Sequence, residues 1–261
     1  MQFMILRRAD ALSEATRLSP AESALLLATL KPSDSAVRLT IRDGEASVIA
    51  GPFPDTADMI AGFAIIDDAS KEAAIEWLKR WPASEQSVEL EVRESGCPGG
   101  CAQVHASSAH HEGKRFAILL RSSEALEAEV PVPRHRLDAL DLHNAKEAAA
   151  GVLLAAEGLR TSARGARVTV AAAQFSVVDG PFSEIKELIA GFWLIRVASL
   201  DDAIAWARRN PYPSGPDAEV EIRELFELSV DISSFTPDLE SAEQRIRAEQ
   251  LEAGMRAHFT A

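Results

Sequence analysis

Apolar positions in the second half of the chain switch between the period of a strand and that of a helix. "RFAILLR" (115 to 121) is a short apolar run of strand length. Behind Pro133, "RHRLDALDLHNAKEAAAG" (134 to 151) carries Leu137, Leu140 and Ala148 at helical spacing and closes on Gly151, so a helix is predicted there. "VLLAAEG" (152 to 158) predicts a strand, and "RVTVAAAQFSVVDG" (167 to 180) a hairpin whose β-branched arms flank a small-residue turn. "GPFSEIKE" (180 to 187) reads as a turn with one helical turn, and "GFWLIRV" (191 to 197) as a second long strand.

Ser199 then stands where an N-cap belongs, with Asp201 and Asp202 in the first turn and Leu200, Ala203, Ile204 and Ala207 on one stripe. Arg208 and Arg209 face the negative end of that helix, and Pro211 stops it. In "EVEIREL" (219 to 225), Val220 and Ile222 alternate with Glu219, Glu221 and Arg223, which predicts a last strand. The order is β-α-β-(hairpin)-α-β, a ferredoxin-like arrangement with an added hairpin. The strand "GFWLIRV" is apolar on both faces, Phe192 and Leu194 on one and Trp193, Ile195 and Val197 on the other. Helices of the same unit cover one face, so the other is expected to pack on a second sheet.

That second sheet is supplied by an internal repeat. Pro52 matches Pro181, "IAGF" (60 to 63) matches the same tetrapeptide at 189 to 192, and "AIEW" (74 to 77) matches "AIAW" (203 to 206), all at an offset of 129 residues. "RLTI" (38 to 41) against "RVTV" (167 to 170) keeps the offset, and "EVRE" (91 to 94) against "EIRE" (221 to 224) shifts it by one. At the front the offset drops to 113, between "FMILR" at 3 and "FAILL" at 116, so the first copy lacks 16 residues after its opening strand. The division predicted is a shortened first unit at 1–95, a Gly/Ser/Ala-rich linker at 96–114, a second unit at 115–231 and a C-terminal helix at 232–261.

Composition adds limits rather than a function. The chain has 261 residues, 47% hydrophobic and 26% charged, enough for one large or two ordinary globular cores. Its formal charge is −13, with acids spread throughout, so binding to nucleic acid or to an anionic membrane surface is not expected. No apolar run reaches the roughly 18 residues of a membrane span, and the first residues lack the pattern of a secretory leader, so a cytoplasmic protein is expected. Nucleotide-binding glycine motifs and the Gly-x-Ser-x-Gly elbow are absent from the sequence, and no cofactor is predicted.

"DGPFSEIKE" (179 to 187), followed by "AGFWLIRVASLDDAIAWARRNP" (190 to 211), resembles the DGPF branch of the YCII-related family. The resemblance covers most of 115–226 and, more weakly, 2–94. It implies an α+β fold of two ferredoxin-like domains packed sheet to sheet, here as an intrachain pseudo-dimer forming a dimeric α+β barrel. Shorter members carry a histidine near the start of the first helix and an aspartate near the cleft. By that likeness His135 and Asp179 are the catalytic candidates, the carboxylate orienting an imidazole that moves protons near neutral pH. The bland alternative is a surface histidine and a turn aspartate. The first copy has Ala50 in place of Asp179 and nothing to match Lys186. The second copy is therefore expected to hold the site.

His143, Glu157, Lys186 and Glu187 are the ligand-binding candidates, against the plain reading of solvated or structural groups. Cys97, Cys101, His105 and His110 fall within known zinc-ligand spacings, but a Gly-rich linker preorganises them poorly, so no metal is predicted and two free thiols are expected. Trp77 and Trp206, at matching positions, read as core anchors. Two functions remain open: binding of a small polar molecule in a cleft with His/Asp acid–base chemistry, or a non-catalytic, transcription-associated interaction module. The fused pair is expected as a monomer or a homodimer.

Overall fold

The structure is a computed structural model that describes residues 1–9, 24–53, 59–79, 87–97, 100, 104–105, 112–171 and 174–227. The first repeat supplies β1 (Gln2–Ala9), β2 (Leu26–Thr29), β3 (Val37–Arg42), β4 (Glu45–Ala50), β5 (Met59–Asp67), α1 (Lys71–Leu78) and β6 (Ser87–Glu94). A two-residue β7 (Val104–His105) follows. The second repeat supplies β8 (Lys114–Arg121), α2 (Glu124–Glu127), α3 (Arg134–Ala149), β9 (Leu153–Gly158), β10 (Ala166–Ala171), β11 (Gln174–Asp179), β12 (Ile189–Val197), α4 (Leu200–Arg209) and β13 (Ala218–Glu224).

The class is α+β, with two antiparallel sheets in the orders β11-β10-β6-β1-β5-β2 and β4-β3-β13-β8-β12-β9-β7. Four strands of each repeat, β6-β1-β5-β2 and β13-β8-β12-β9, share the order fourth, first, third, second expected of a ferredoxin-like unit. Each hairpin joins the sheet of the other repeat. β10 pairs with β6, Val168 opposite Leu90, and β3 pairs with β13, Leu39 opposite Val220. Alternation explains the fit, because Leu39 and Val168 sink into the cores beneath α4 and α1 while Arg38 and Arg167 point the other way, into the space between the sheets.

Three apolar clusters fill the layers. Trp193, Ile195 and Trp206 belong to the one under α3 and α4, and Phe3, Ile5 and Trp77 to the one under α1. The third lies between the sheets and draws Met4, Leu6 and Phe63 from one and Leu119, Phe192 and Leu194 from the other. The Phe63 and Phe192 rings meet with centroids 4.7 Å apart. Both faces of β12 are thus covered, as its composition requires.

With the hairpins exchanged, Met1–Phe226 form one compact body. The stretch read as a linker also contributes, since β7 extends the larger sheet by pairing with β9. Ser199 caps α4 as its sequence predicts, its Oγ accepting the Asp202 N–H at 3.1 Å. Exposed large apolar side chains include Val48 and Ile49 on β4 and Val177 and Val178 on β11, the outermost hairpin strands. The segment after β1 that is shortened in the first repeat, and the predicted C-terminal helix, lie outside the described residues.

Candidate functional site

Between the Trp193 face of the larger sheet and helices α2 and α3 lies a cavity of about 210 Å³. Its walls include Leu120, Leu140, Ala156, Trp193, Glu157 and Asn144. Leu137, Leu140 and Asn144 share the buried stripe of α3, which is how an amide reaches an apolar chamber. Asn144 is only 3% exposed, and its Oδ1 accepts the indole N–H of Trp193 at 3.2 Å. An indole nitrogen can only donate, so the amide has one orientation and its NH₂ group is left for the cavity.

Cys97 and Gly100 close one side. Gly96 donates its N–H to the Gly158 carbonyl at 2.8 Å, and a Cβ on Gly158 would stand 3.0 Å from the Cβ of Cys97. The loop therefore lies directly on β9, with no room for a larger residue beneath it. Cys97 is disulfide-bonded, and the sequence holds one other cysteine, Cys101, which lies outside the described residues. This corrects the expectation of free thiols and removes Cys97 as a thiolate ligand for zinc. His110 also lies outside the described residues, and among those described no cluster of metal-ligating side chains forms.

Two buried charge clusters flank the layer between the sheets. Glu221 is held by Arg121 at 2.6 Å, Arg223 at 2.8 Å and Arg38 at 3.4 Å. Glu91 is held in the same way by Arg93 and Arg167, each at 3.1 Å, and by Arg8 at 3.4 Å. Burial opposes the charge on Glu221, but Arg121, then Arg223 and Arg38, outweigh it and hold its pKa below the usual carboxylate value. The phenylalanines of the two Gly-Pro-Phe turns lie on these clusters, Phe53 4.0 Å from the Arg38 guanidinium and Phe182 4.3 Å from that of Arg167.

The YCII-related domain family matches residues 1–95 and again 115–229. The chain belongs to the YCII-related family. An uncharacterized protein of Rhizobium meliloti (strain 1021) is 48% identical over 50 residues, which are 18% of this YCII-related chain and 40% of the relative, so the match spans well under two thirds of that protein. A solved structure of an anthrone oxidase-like protein aligns with 87% of this chain and 91% of its own at 9% identity, with a TM-score of 0.29.

In this YCII-related chain the two residues carried over as a proton-handling pair are not brought together. His135 is exposed at the start of α3, over the larger sheet. Asp179 ends β11, the edge strand of the smaller sheet, where its carboxylate is 69% exposed and bonds Lys71 at 2.7 Å. The exchange of hairpins is the physical reason: it carries Asp179 to the other repeat. The residue 129 positions after Lys71 is Leu200, so the copy that lacks the acid, at Ala50, also lacks the matching cation.

Of the ligand-binding candidates, Glu157 alone lines the enclosed cavity. Lys186 is exposed and borders a separate open cleft of about 970 Å³ with Arg42, Glu124 and Glu219. Glu187 is drawn to the first repeat by Arg8 at 3.5 Å, while its carbonyl accepts Arg121 at 3.1 Å. His143 packs its ring 5.4 Å from that of Trp206, away from the cavity. Asn144 and the two Glu–Arg clusters were missed. A polar residue on the Leu137–Leu140 stripe was the available signal for the first; for the clusters, only the alternation of "EVRE" and "EIRE" hinted at charges facing inward.

His143 gives a pH-dependent result. Burial disfavours its imidazolium, Glu147 opposes that, and Arg209 and Lys146 reinforce it, so its pKa is lowered from 6.5. The unfolded chain binds this proton first. Stability therefore falls as pH drops through about 6.5 toward the lowered folded value and levels off below it. Urea midpoints between pH 7.5 and 5.5 should fall for the wild type and fall less for His143→Leu; equal slopes would exclude this origin.

Proposed function

We propose that this chain is a fused pseudo-dimer of two DGPF-type YCII-related units whose second unit binds a small molecule in the Asn144 cavity. Support for the pseudo-dimer comes from the repeated strand order and the reciprocal exchange of hairpins. The binding proposal rests on one observation: an almost fully buried amide, fixed by Trp193, presents its NH₂ to a chamber that is otherwise largely apolar. Such a group is costly to bury without an acceptor. A compact, mostly apolar ligand with a carbonyl or hydroxyl oxygen supplies one.

Size narrows the class. A dry protein cavity of about 150 Å³ holds benzene, so about 210 Å³ suits a molecule of one substituted ring or an equivalent short chain. His135 and Asp179 take no part, so the reading is one of binding, with no proton transfer assigned to them.

The test compares benzaldehyde with toluene, which share a ring but differ in the acceptor, by titration of the full chain. The aldehyde is expected to bind more tightly. Asn144→Asp keeps an acceptor for Trp193 but removes the donor, and should reduce that preference by about tenfold, the worth of one hydrogen bond of about 1.4 kcal/mol. Equal binding of the two probes, or no saturable binding of either, would refute the proposal.

A further inference from the structure

We propose that the Cys97 disulfide is a redox-sensitive staple for one wall of the Asn144 cavity, so that its reduction weakens ligand binding there while the rest of the fold stands. The inference rests on the reading of that cavity as a binding site and names how the site is regulated.

Gly96, Cys97 and Gly100 line the cavity together with Gly158 of β9, the strand on which their loop lies. Few groups hold the loop there. The Gly96 N–H bonds the Gly158 carbonyl at 2.8 Å, and the Gly100 N–H returns to the Cys97 carbonyl at 3.0 Å, a turn that brings the chain back on itself. Gly96 has φ +132° and Gly100 φ +80°, so the path runs through backbone regions that glycine alone visits readily. Half of "GCPGGC" (96 to 101) is glycine, the residue that loses most conformational freedom when one path is fixed. Two backbone hydrogen bonds are little against that cost.

The disulfide supplies the missing constraint. Its second cysteine is Cys101, the one other in the sequence, so the bond closes a ring of neighbouring residues. The entropy that a cross-link removes from the unfolded chain falls with the size of the loop it closes, so this bond contributes least to the fold as a whole and acts on the wall itself. A dithiol reverses the constraint. The S–S bond breaks, Cys97 and Cys101 each end as a thiol, and the dithiol leaves as its cyclic disulfide. The cavity then keeps its Trp193 and Asn144 walls, whose contacts lie within β12 and α3, but loses the fixed position of Cys97 and Gly100.

Benzaldehyde titration of the full chain tests this, first oxidised, then after reduction with dithiothreitol and removal of the dithiol under nitrogen. Free thiols counted in each state should rise from none to two. If the wall is in place in about one reduced molecule in ten, affinity falls about tenfold. Reoxidation should restore it. Cys97→Ser combined with Cys101→Ser should bind as weakly as the reduced chain and respond to neither treatment. Hydrogen exchange, read without any probe bound, should show the Gly96 and Gly100 amides exchanging faster after reduction, with those of β1 in the other sheet unchanged. Equal affinity in the two redox states, or equal exchange at Gly96 and Gly100, would overturn the staple and leave the Asn144 reading standing. Absence of benzaldehyde binding by the oxidised chain would remove the Asn144 reading and the regulation that rests on it.

Discussion

Replacing Glu221 with glutamine will lower the unfolding free energy by about 3–5 kcal/mol, the range for removing one partner from a buried ion pair. Three guanidinium groups converge on this carboxylate, and the side chains of Glu221, Arg223 and Arg121 are 3%, 0% and 6% exposed. Glutamine keeps the shape and some hydrogen bonds but leaves buried positive charge uncompensated. Arg223 is fixed at its far end by the Lys31 carbonyl of the first repeat, so it cannot swing out to water without breaking the seam between β13 and that repeat. Chemical denaturation followed by far-ultraviolet circular dichroism measures the loss; a change below about 1 kcal/mol would place the pair in the class of surface salt bridges and contradict this account. The pH response has a defined sign. Because the folded pKa lies below the ordinary 4.5, the contribution of Glu221 is fully present above that value and is lost as pH falls below it toward the folded pKa. Acid should therefore destabilise the wild type more steeply than the variant.

The sequence shows the local elements of the second repeat because each has a spacing of its own. Leu137 and Leu140 mark a helical stripe, Ser199 a cap, and the two apolar faces of "GFWLIRV" demand two neighbours. What alternation cannot say is which sheet a strand joins. Leu39 and Val168 declare that one side of each hairpin is buried, yet nothing local says that the burying surface belongs to the other repeat. The same undetermined choice separates the predicted pair: Asp179 and His135 belong to one repeat, but the exchanged hairpin puts Asp179 on the smaller sheet while His135 stands over the larger. Asn144 was hidden for a different reason. A lone amide on an apolar stripe signals burial, and its meaning depends on the Trp193 indole that meets it from a strand 49 residues away.

Gly180→Ala is the second large effect expected, at about 3 kcal/mol or more, the upper end for overpacked positions. A Cβ there would lie 1.9 Å from the Ser162 carbonyl oxygen, and the same atom on Gly51 would lie 1.8 Å from that of Ser33, so Gly51→Ala should behave alike. Both obstacles are backbone atoms of the short 3₁₀ turns at Ser33–Ser35 and Ser162–Arg164, which cannot rotate aside as a side chain would. Each glycine N–H also bonds back to that region, Gly51 to the Ala36 carbonyl at 2.9 Å and Gly180 to that of Gly165 at 3.1 Å. The turn is thereby clamped to the base of its own hairpin, and its phenylalanine reaches the arginine of a buried charge cluster. Pushing the turn away would disturb the hairpin that joins the repeats as well as the cluster beneath it. Two comparisons isolate this cause. Gly44→Ala, where φ is +80° and nothing lies within 4 Å, should cost only about 1–2 kcal/mol from backbone conformation. Asp179→Ala removes one exposed ion pair with Lys71 and should cost about 0–1 kcal/mol. If thermal unfolding puts Gly180→Ala within about 1 kcal/mol of the wild type, the clamp is not what keeps both copies of the turn. If the ranking holds, "VIAGPF" and "VVDGPF" differ where difference is cheap: the glycine is demanded by a carbonyl it nearly touches, and the acid answers a lysine that its sister hairpin never meets.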